Sequence, residues 1–377
     1  MKMTLKTRTI IPVQIILILV MTGLAYFNYA SQVSLLHTQD EEELNGAMNT
    51  SHTIINSQLS LYQQMAALIA EMPSVGGLFA KGDRTKLYAE FSPSFQSLKS
   101  RFNLFQFQFH TPPAVSFLRM NEPQKFGDDL STFRRTVLSV NTDKKGVRGL
   151  ETGRTGLGLR GVEPVFFKGK HYGSVEFGGD LLPVLENIKK AYGVEVGIAL
   201  SQQAAAIVFP DWQKKTQPVG DYIPYFSTKA ELTQPALSAE LFRNAASAVK
   251  DRAVISETRV QGRDYSIAIS PLPDYTGQTI GYVYILKDRT ETLGKITRTL
   301  YVNLAVYASI LIIVSLAIGL AITKNVINPV LELTHTADEI SMGKLSLKVD
   351  VPGAKDEIAT LAKSIDRMRV SMKKMLE

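Results

Sequence analysis

The chain has 377 residues, 45% of them hydrophobic, and a formal net charge of +7 at pH 7. This length gives room for about two or three folding units with buried cores, and its dispersed Lys and Arg residues argue against a nucleic-acid partner because no long basic run occurs. Cysteine is absent, which excludes disulfide scaffolds, thiolate metal sites and cysteine nucleophiles and suits a domain in an oxidising compartment.

The N-terminal segment is a basic tail followed by an apolar run. Three basic residues lie in the tail, residues 1–9, and the run extends over residues 10–27. A cleaved signal peptide has a shorter apolar region that ends in small residues, whereas bulky Tyr and Asn residues follow this run. We therefore favour an uncleaved membrane helix at residues 10–30. Basic residues stay on the cytoplasmic side, so residues 31–298 are expected outside the cytoplasm.

Residues 31–85 are predicted to form a long helix. Leu, Ile, Met and Tyr recur there mostly at spacings of three and four, which is a helical period. We expect breaks at Met72-Pro73 and Gly76-Gly77, because Pro and Gly end helices. Pairing with a second copy of the chain is expected along this helix.

Residues 86–180 change to the period of β-strands. In FNLFQFQFH, residues 102–110, Phe alternates with Gln and His, which is typical of a half-buried strand. A helix is expected at residues 128–141, which begin with two Asp and have an apolar face. The other predicted strands are 114–120, 147–151, 157–166 and 171–177, with a turn at residues 168–170 between the last two.

The same order of elements recurs in residues 181–298. A helix at residues 181–192 leads into this second half. The predicted strands are 194–200, 205–209, 253–260, 265–271 and 279–287, and the predicted helix is 237–250. Each half therefore fits an antiparallel sheet of about five strands with helices on one face, so the fold class is α+β, with one domain type occurring twice.

Residues 299–323 include a second apolar run, LYVNLAVYASILIIVSLAIGLAIT, which contains no charged residue. About twenty residues at a rise of about 1.5 Å each cross a hydrocarbon core of about 30 Å, and a helix satisfies all their backbone polar groups in lipid. This predicts a second transmembrane helix, which returns residues 324–377 to the cytoplasm. With no flexible Gly/Ser linker at either end, the helix is expected to act as a transmission rod.

Catalytic motifs are missing or stand in the wrong context. Residues 156–161, GLGLRG, match GxGxxG, but the alternating residues that follow indicate a turn entering a strand, whereas a dinucleotide site requires a helix at that point. The five His share no metal-binding spacing, and no GxSxG nucleophile elbow occurs. We therefore expect no catalysis, no cofactor and no metal ion.

A small-ligand pocket is expected between His110 and Glu176, where several Arg lie among aromatic and apolar neighbours. The planar fork of Arg binds a carboxylate through two hydrogen bonds, which favours an anionic organic molecule or an amino acid. Arg119 and Arg160 are preferred because both lie in apolar segments, where an unpaired charge is costly. The alternative is that each Arg of this segment pairs on a solvated face with an acidic residue such as Asp128, Asp129 or Glu151. The predicted ligand-binding residues are Arg119, Arg160, His110, Arg154, Tyr172 and Glu176.

The last fifty or so residues contain two short amphipathic segments, 328–343 and 356–377, with apolar residues at coiled-coil spacing. A connector with Gly and Pro separates them. Short helices of this kind need a partner chain to bury both seams, which predicts a homodimer.

These residues are similar to a HAMP domain over residues 324–377. The similarity rests on the Pro after the span, on Glu339-Ile340, on the apolar connector and on Asp356-Glu357-Ile358. It implies signalling roles for Pro329, Glu339, Gly343, Asp356 and Glu357.

The preceding part resembles the double Cache sensor domain of bacterial chemoreceptors, over residues 40–290. The resemblance rests on FQFHTPPAVSFLRMNEPQKFGDDLSTFRRTV, GLETGRTGLGLRGVEPVF and the strand GSVEFG, and it holds only in outline in the second half. It implies two PAS-like modules on a long helix, a membrane-distal one at residues 86–180 and a membrane-proximal one at residues 181–298. Ligand capture is expected in the distal module, with homodimeric signalling through HAMP.

The resemblance implies a transmembrane receptor of the bacterial inner membrane, with a periplasmic sensor and a cytoplasmic HAMP domain, of the methyl-accepting chemotaxis type. The chain stops at Glu377, where the second HAMP helix would lead into an output domain. We expect either a fragment or a sensor that works through a cytoplasmic partner. The alternatives are a receptor for a periplasmic binding protein and the sensor part of a histidine kinase or diguanylate cyclase.

Overall fold

The computed structural model describes residues 5–153, 156–229, 236–247, 253–349 and 357–376. The chain divides into two compact units. Residues 36–291 form one of them, and residues 1–35 together with 292–377 form the other.

Three helices precede the first sheet. They are α1, Leu5–Ala70; α2, Pro73–Ala80; and α3, Arg84–Phe102. The predicted break at Met72-Pro73 is confirmed because α2 begins at Pro73, but the predicted break at Gly76-Gly77 is wrong because both residues lie inside α2. Their small size serves close packing instead, since a Cβ at Gly76 would lie 2.8 Å from the carbonyl oxygen of Phe166.

The helix α3 is absent from the predicted elements. Asp83 caps its N-terminus by accepting a hydrogen bond of 3.1 Å from the backbone N–H of Lys86. Its C-terminus is marked by Asn103 in the left-handed conformation and by Lys99 and Arg101 in the last turn, where positive charge suits the helix dipole. The apolar period of this segment is too weak to predict a helix, but its cap residues indicate one.

The first module is a five-stranded antiparallel sheet in the order β2-β1-β5-β4-β3. Its strands are β1, Gln106–Thr111; β2, Val115–Arg119; β3, Val147–Gly153; β4, Gly156–Phe167; and β5, Lys170–Asp180. The helix α4, Arg135–Asp143, lies between β2 and β3 in the chain. It begins later than predicted, because residues 128–130 pair with the outer side of β2 instead of forming a helical turn.

The second module repeats this topology, with the order β7-β6-β10-β9-β8. Its strands are β6, Glu195–Ser201; β7, Tyr222–Ser227; β8, Val254–Val260; β9, Arg263–Pro273; and β10, Thr279–Asp288. Its helices are α5, Leu182–Tyr192; α6, Gln202–Val208; α7, Trp212–Lys215; and α8, Ala239–Ser247. The predicted α+β fold with one domain type occurring twice is confirmed.

The strand predicted at residues 205–209 is wrong. The segment QQAAAIV forms α6, because Ala favours helix and the side chain of Ser201 caps the first turn by accepting from the N–H of Ala204. The second strand of this module is β7, within the polar segment that contains Pro224. It lies at the sheet edge, where a residue without an N–H is tolerated.

The first sheet buries both of its faces. On β1, Phe107 and Phe109 point to the face covered by helices, where the ring of Phe91 lies 5.4 Å from that of Phe107 between centroids. Phe107 also stacks on Phe177 of β5 at 4.2 Å. The alternate residues of β1 are polar and point to the opposite face, and they are buried as well.

The strand β4 lies directly against α1. A Cβ at Gly161 would be 2.2 Å from the backbone nitrogen of Gln63, so the two backbones approach as closely as glycine allows. On β5, a Cβ at Gly179 would be 2.1 Å from the hydroxyl of Tyr62. That hydroxyl donates a bond of 3.0 Å to the carbonyl oxygen of Asn103, after α3. Small residues therefore fix the sheet on the long helix.

An ion cluster joins α1 to the end of β10 within residues 36–291. Asp40 and Arg289 are both almost fully buried, with Arg289 Nε 3.7 Å from Asp40 Oδ2. Lys287 Nζ lies 3.0 Å from Asp40 Oδ1, and Ser266 Oγ donates to Asp40 Oδ2 at 2.9 Å. Arg289 also pairs with Glu257 of β8. This ion cluster connects the two segments at which the chain enters and leaves residues 36–291.

The other unit consists of helices. They are the first part of α1; α9, Thr290–Ile322; a π-helical turn, Thr323–Ile327; α10, Asn328–Ser341; and α11, Glu357–Leu376. Two helical stretches are long and apolar enough to cross a membrane, within residues 11–70 and 290–341. Large apolar side chains such as Ile312 and Leu316 are about two-thirds exposed on α9, with 67% and 63% of their surface accessible. Lipid is the environment that suits such a surface.

Candidate ligand-binding site

Polar residues from four adjacent strands, β1, β5, β4 and β3, meet on the face of the first sheet opposite the Phe side chains. Gln108 of β1 is paired with Glu176 of β5, and Glu176 is paired with Val162 of β4. Because side chains alternate along a strand, the even-numbered residues of β1 share a face with Glu176 and Arg160. The resulting polar cluster consists of Gln106, Gln108, His110, Arg134, Glu151, Arg160 and Glu176.

Arg134 holds the cluster together. It precedes α4 and is 96% buried. Its Nε donates to Glu151 Oε2 at 2.8 Å, and its Nη2 donates to Glu176 Oε1. Burial opposes the charged form of Arg134, but the two carboxylates outweigh it and raise the pKa of its guanidinium. Arg134 is therefore positively charged at any physiological pH.

Arg160 lies next to Arg134 and has the looser contacts. Its Nη1 donates to Gln106 Oε1 and lies 3.5 Å from Glu176 Oε1, and its Nε is 4.0 Å from Glu151 Oε2. Burial and the neighbouring charge of Arg134 lower the pKa of Arg160. The cluster thus stabilises the charged form of Arg160 less than that of Arg134.

The GLGLRG segment is explained by this arrangement. It opens the strand β4 rather than a helix, so it lacks the geometry of a dinucleotide site. Gly158 and, on β5, Gly178 make room for Arg160, because a Cβ at either position would lie 2.3 to 2.4 Å from its terminal nitrogens. The two glycines therefore leave the space that the buried guanidinium of Arg160 occupies.

Glu151 is held by the first turn of α4. Its Oε1 accepts from the backbone N–H of Thr136 at 2.7 Å and from the Thr136 hydroxyl at 2.9 Å. Free N–H groups at a helix start favour a carboxylate. The position of Glu151 on β3 is consequently linked to the position of α4.

His110 is fully buried beside Glu176. Its Nε2 lies 3.5 Å from Glu176 Oε2 and 3.3 Å from Gln108 Oε1. Burial, with the charges of Arg134, Arg119 and Arg160, lowers the pKa of His110 far below its usual range, so its imidazole is neutral. Two arginines then balance two glutamates, and the cluster carries no net charge.

Several buried polar atoms in and around the cluster have no hydrogen-bond partner. In the described part of the chain, the atoms at this face of the first sheet are His110 Nδ1, Arg160 Nε, Glu176 Oε2, Ser116 Oγ, Ser174 Oγ and Asn141 Oδ1. A buried polar group without a partner costs about 1–3 kcal/mol. Buried groups of this kind are satisfied by ordered water or by a bound molecule.

The structure brings together three of the six predicted ligand-binding residues: His110, Arg160 and Glu176. Arg119 lies apart, donating to both carboxylate oxygens of Asp128 at 2.8 and 2.7 Å and lowering the pKa of that carboxyl. Tyr172 packs on the apolar core. Arg154 lies outside the described residues. Which of these residues contact a ligand stays a prediction.

Four further residues belong to the cluster without having been predicted as ligand-binding residues: Arg134, Glu151, Gln106 and Gln108. The polar positions of β1 were visible in the alternating pattern, and Gln106 follows from it. Arg134 and Glu151 come from a helix start and an edge strand, and no local pattern brings them together.

The predicted signalling residues are placed as follows. Pro329 stands in the first turn of α10, where its missing N–H is harmless. Glu339 pairs with Lys344 at 2.7 Å, which lowers the pKa of Glu339, and Gly343 follows α10 with a left-handed φ of 94°. Glu357 opens α11, and Asp356 lies outside the described residues.

Comparison with known proteins decides the family. Residues 38–293 match the family described as the double sensory domain of two-component sensor kinase, dCache_3. The chain belongs to this family. Residues 321–374 match the HAMP domain. This double Cache protein is therefore a membrane receptor for signal transduction that combines a sensory domain with HAMP, as the resemblance implied.

Solved structures with a similar fold include a chemoreceptor sensory domain and a periplasmic domain. The sensory domain of the Campylobacter jejuni chemoreceptor Tlp3, with isoleucine bound, is 10% identical, with a TM-score of 0.44 over 70% of this chain and 96% of that one. The periplasmic domain of Vibrio cholerae LuxQ is 14% identical, with a TM-score of 0.39 over 66% of this chain and 99% of that one.

A curated relative is YvaQ of Bacillus subtilis, a protein named as a sensory transducer. It is 25% identical over 123 residues, which are 32% of this chain. The chain spans about a fifth of that protein, since the match covers 20% of its length.

Proposed function

We propose that the polar cluster of the first module is the ligand site of a transmembrane receptor. Residues 86–180 form its membrane-distal sensor module, residues 181–298 its membrane-proximal module and residues 324–377 its cytoplasmic HAMP domain. The receptor acts as a homodimer in the bacterial inner membrane and contributes no catalysis of its own. Its signal passes to a further output domain or to a cytoplasmic partner, in chemotaxis-type signalling.

The observation that supports this proposal is the buried, electrically balanced cluster with unpartnered atoms of both kinds. Arg160 has an unpartnered donor, Nε, and Glu176 has an unpartnered acceptor, Oε2. A ligand carboxylate suits the first, and a ligand ammonium group suits the second. A zwitterion adds no net charge to a buried site, whereas a simple anion does. A small zwitterionic molecule of the amino-acid type is therefore the ligand class that fits.

Binding also has a structural consequence in this arrangement. A carboxylate that takes over Arg160 frees Glu151 and Glu176 from one of their two cations. Glu151 is tied to the first turn of α4 through Thr136, so an altered position of Glu151 moves α4 against β3. Ligand binding thereby shifts α4, the helix that covers this face of the sheet.

Thermal unfolding of the segment 31–298 against a panel of amino acids and organic acids tests the proposal. A molecule that binds only the folded form at a concentration of 100 times its Kd stabilises it by about 2.7 kcal/mol. We expect Arg160→Met and Glu176→Gln to abolish this shift and the control Arg119→Met to retain it. Loss of binding in Arg119→Met with retention in Arg160→Met would place the site elsewhere. A shift produced only by a periplasmic protein would support a receptor for a binding protein.

A further inference from the structure

A cavity that no residue of the polar cluster lines lies within residues 36–291. It has a volume of about 970 Å³ and is walled by α1, β3, α8 and the hairpin between β9 and β10. Pockets for small molecules in proteins typically measure about 300–1,000 Å³. The cavity is thus large enough for a metabolite.

The walls of this cavity come from both modules. Tyr275, in the β9–β10 hairpin, donates from its backbone N–H to the carbonyl oxygen of Leu150 on β3 at 3.0 Å. The adjacent Gly149 approaches so closely that a Cβ there would lie 2.4 Å from the Cα of Tyr275. A molecule in the cavity therefore touches both sides of this junction.

The two fully charged side chains at the cavity are already engaged. Asp274 accepts at Oδ1 from the N–H and the hydroxyl of Thr276, at 2.8 and 2.6 Å. Arg148 donates to Ser60 Oγ at 3.3 Å and to Gln63 Oε1 at 3.4 Å, both on α1. Both side chains are therefore held by neutral partners, and their opposite charges sum to zero, so together they favour neither an anion nor a cation.

Amide, hydroxyl and phenol groups form much of the remaining polar lining. Asn49, Thr53 and Asn56 lie at helical spacing on one face of α1 and contribute amides and a hydroxyl. Tyr222 and Tyr282 contribute aromatic rings whose centroids are 4.9 Å apart in an edge-on arrangement. Burial raises the pKa of Tyr282, so its phenol stays protonated.

We propose that this inter-module cavity is a second binding site, for an uncharged small molecule with an aromatic or apolar body and a hydroxyl-bearing edge. The aromatic and aliphatic lining takes the body, and the amides of α1 take the hydroxyl. The site differs in chemistry from the polar cluster, whose charges select a charged ligand. Because Glu151 follows Leu150 on β3, occupancy of the cavity also restrains an edge of the first site; this last consequence rests on the proposed function.

Thiol labelling of the full chain in lipid nanodiscs tests the second site. The chain has no cysteine, so Thr53→Cys introduces a unique thiol at the cavity wall. Its rate of reaction with N-ethylmaleimide is measured with benzyl alcohol, benzoate or benzylammonium, which share a ring and differ in charge. We expect benzyl alcohol at twice its Kd to slow labelling about threefold by mass action, and the two ions to have no effect. Neighbouring Ser57→Cys, which does not line the cavity, is the control thiol.

Two bulky substitutions on α8 complete the experiment. Ala246→Trp, at the cavity wall, is expected to remove the protection by benzyl alcohol, and Arg243→Trp, an exposed position on the same helix outside the wall, is expected to retain it. Equal thermal unfolding of the two variants shows that folding is preserved. Protection by all three probes, protection by none, equal slowing at Ser57→Cys or persistent protection in Ala246→Trp each overturns the proposal.

Discussion

Arg134, inside the polar cluster, and Arg119, outside it, differ in what their loss should cost. Removing Arg134 leaves Glu151 and Glu176 buried with a more distant cation, and breaking a buried ion pair costs about 3–5 kcal/mol. Arg119 pairs with the half-exposed Asp128, and an exposed pair contributes about 0–1 kcal/mol. We expect Arg134→Met to lower the unfolding free energy of the fragment 36–291 by several times more than Arg119→Met. Urea unfolding followed by circular dichroism measures both; equal losses would contradict the assigned burial.

His110 gives the first module a specific pH dependence. Its folded pKa lies well below its ordinary value of 6.5, so the unfolded chain takes up a proton that the folded one refuses as pH falls below 6.5. Stability from this group is therefore complete above pH 6.5 and decreases below it, by up to about 1.4 kcal/mol per pH unit, until the folded pKa is reached.

The variant His110→Asn isolates this contribution. Between pH 6.5 and pH 5, the unfolding free energy of this variant is expected to fall less steeply than that of the wild type. The difference in slope corresponds to one proton, about 1.4 kcal/mol per pH unit. His37, which is half exposed beside Glu257, provides the control in His37→Asn. If the wild type and His110→Asn show the same slope, the imidazole is not buried in its neutral form.

At the scale of elements, the contact between β4 and α1 depends on a missing side chain. Gly161→Ala places a methyl group within 2.2 Å of the α1 backbone, and overpacking of this kind typically costs about 1–3 kcal/mol. Gly153→Ala is the matched control, because the nearest atom to its new Cβ is 3.7 Å away, and its effect should stay within about 0.5 kcal/mol. Thermal unfolding of the two variants measures the difference. Similar melting would mean that β4 does not press on α1.

Most elements were predictable from the chain because their signals are local. The strands β4 and β5 carry alternating residues, and the turn between them has Lys168 and Gly169 at positive φ. The helix α3 and the strand β7 escaped prediction for the opposite reason. Both lack a strong period. Pairing with β6 decides the conformation of β7, whereas only the local cap residues mark α3.

The site was predictable only in part for the same physical reason. His110, Arg160 and Glu176 lie on adjacent strands, and their polarity within apolar segments marks them as unusual. Arg134 and Glu151 become neighbours only through the fold, since α4 places one over the other. Arg119 follows the alternative given for it, because the nearby acidic residue Asp128 pairs with it in a salt bridge.

At the scale of the whole molecule, continuity of helix from Thr290 to Ser341 is the proposed means of transmission. Only the π-helical turn at Thr323–Ile327 interrupts the α-helical pattern in this stretch. A Gly-Ser-Gly insertion at Asn325 is expected to leave ligand binding intact and to abolish the response of the HAMP domain, because Gly/Ser segments behave as flexible coil.

A helical insertion of seven residues at Asn325 is the control, since about two turns preserve the phase of the helix. The response is measured as ligand-dependent disulfide formation between copies of a single Met368→Cys chain. Coupling that survives the Gly-Ser-Gly insertion, or fails equally in both insertions, would exclude a rigid rod.

The ion cluster that joins α1 to the end of β10 bears on how such receptors diversify. Because Asp40 contacts both Lys287 and Arg289, the segments at the two limits of the sensory unit are neighbours in space although most of the chain separates them in sequence. A unit with adjacent ends has the layout of a domain inserted into a host, and such insertions are well tolerated. Recombination at residues 36 and 291 can thus exchange the entire sensor as a cassette. The new host needs only two neighbouring helix ends to receive it.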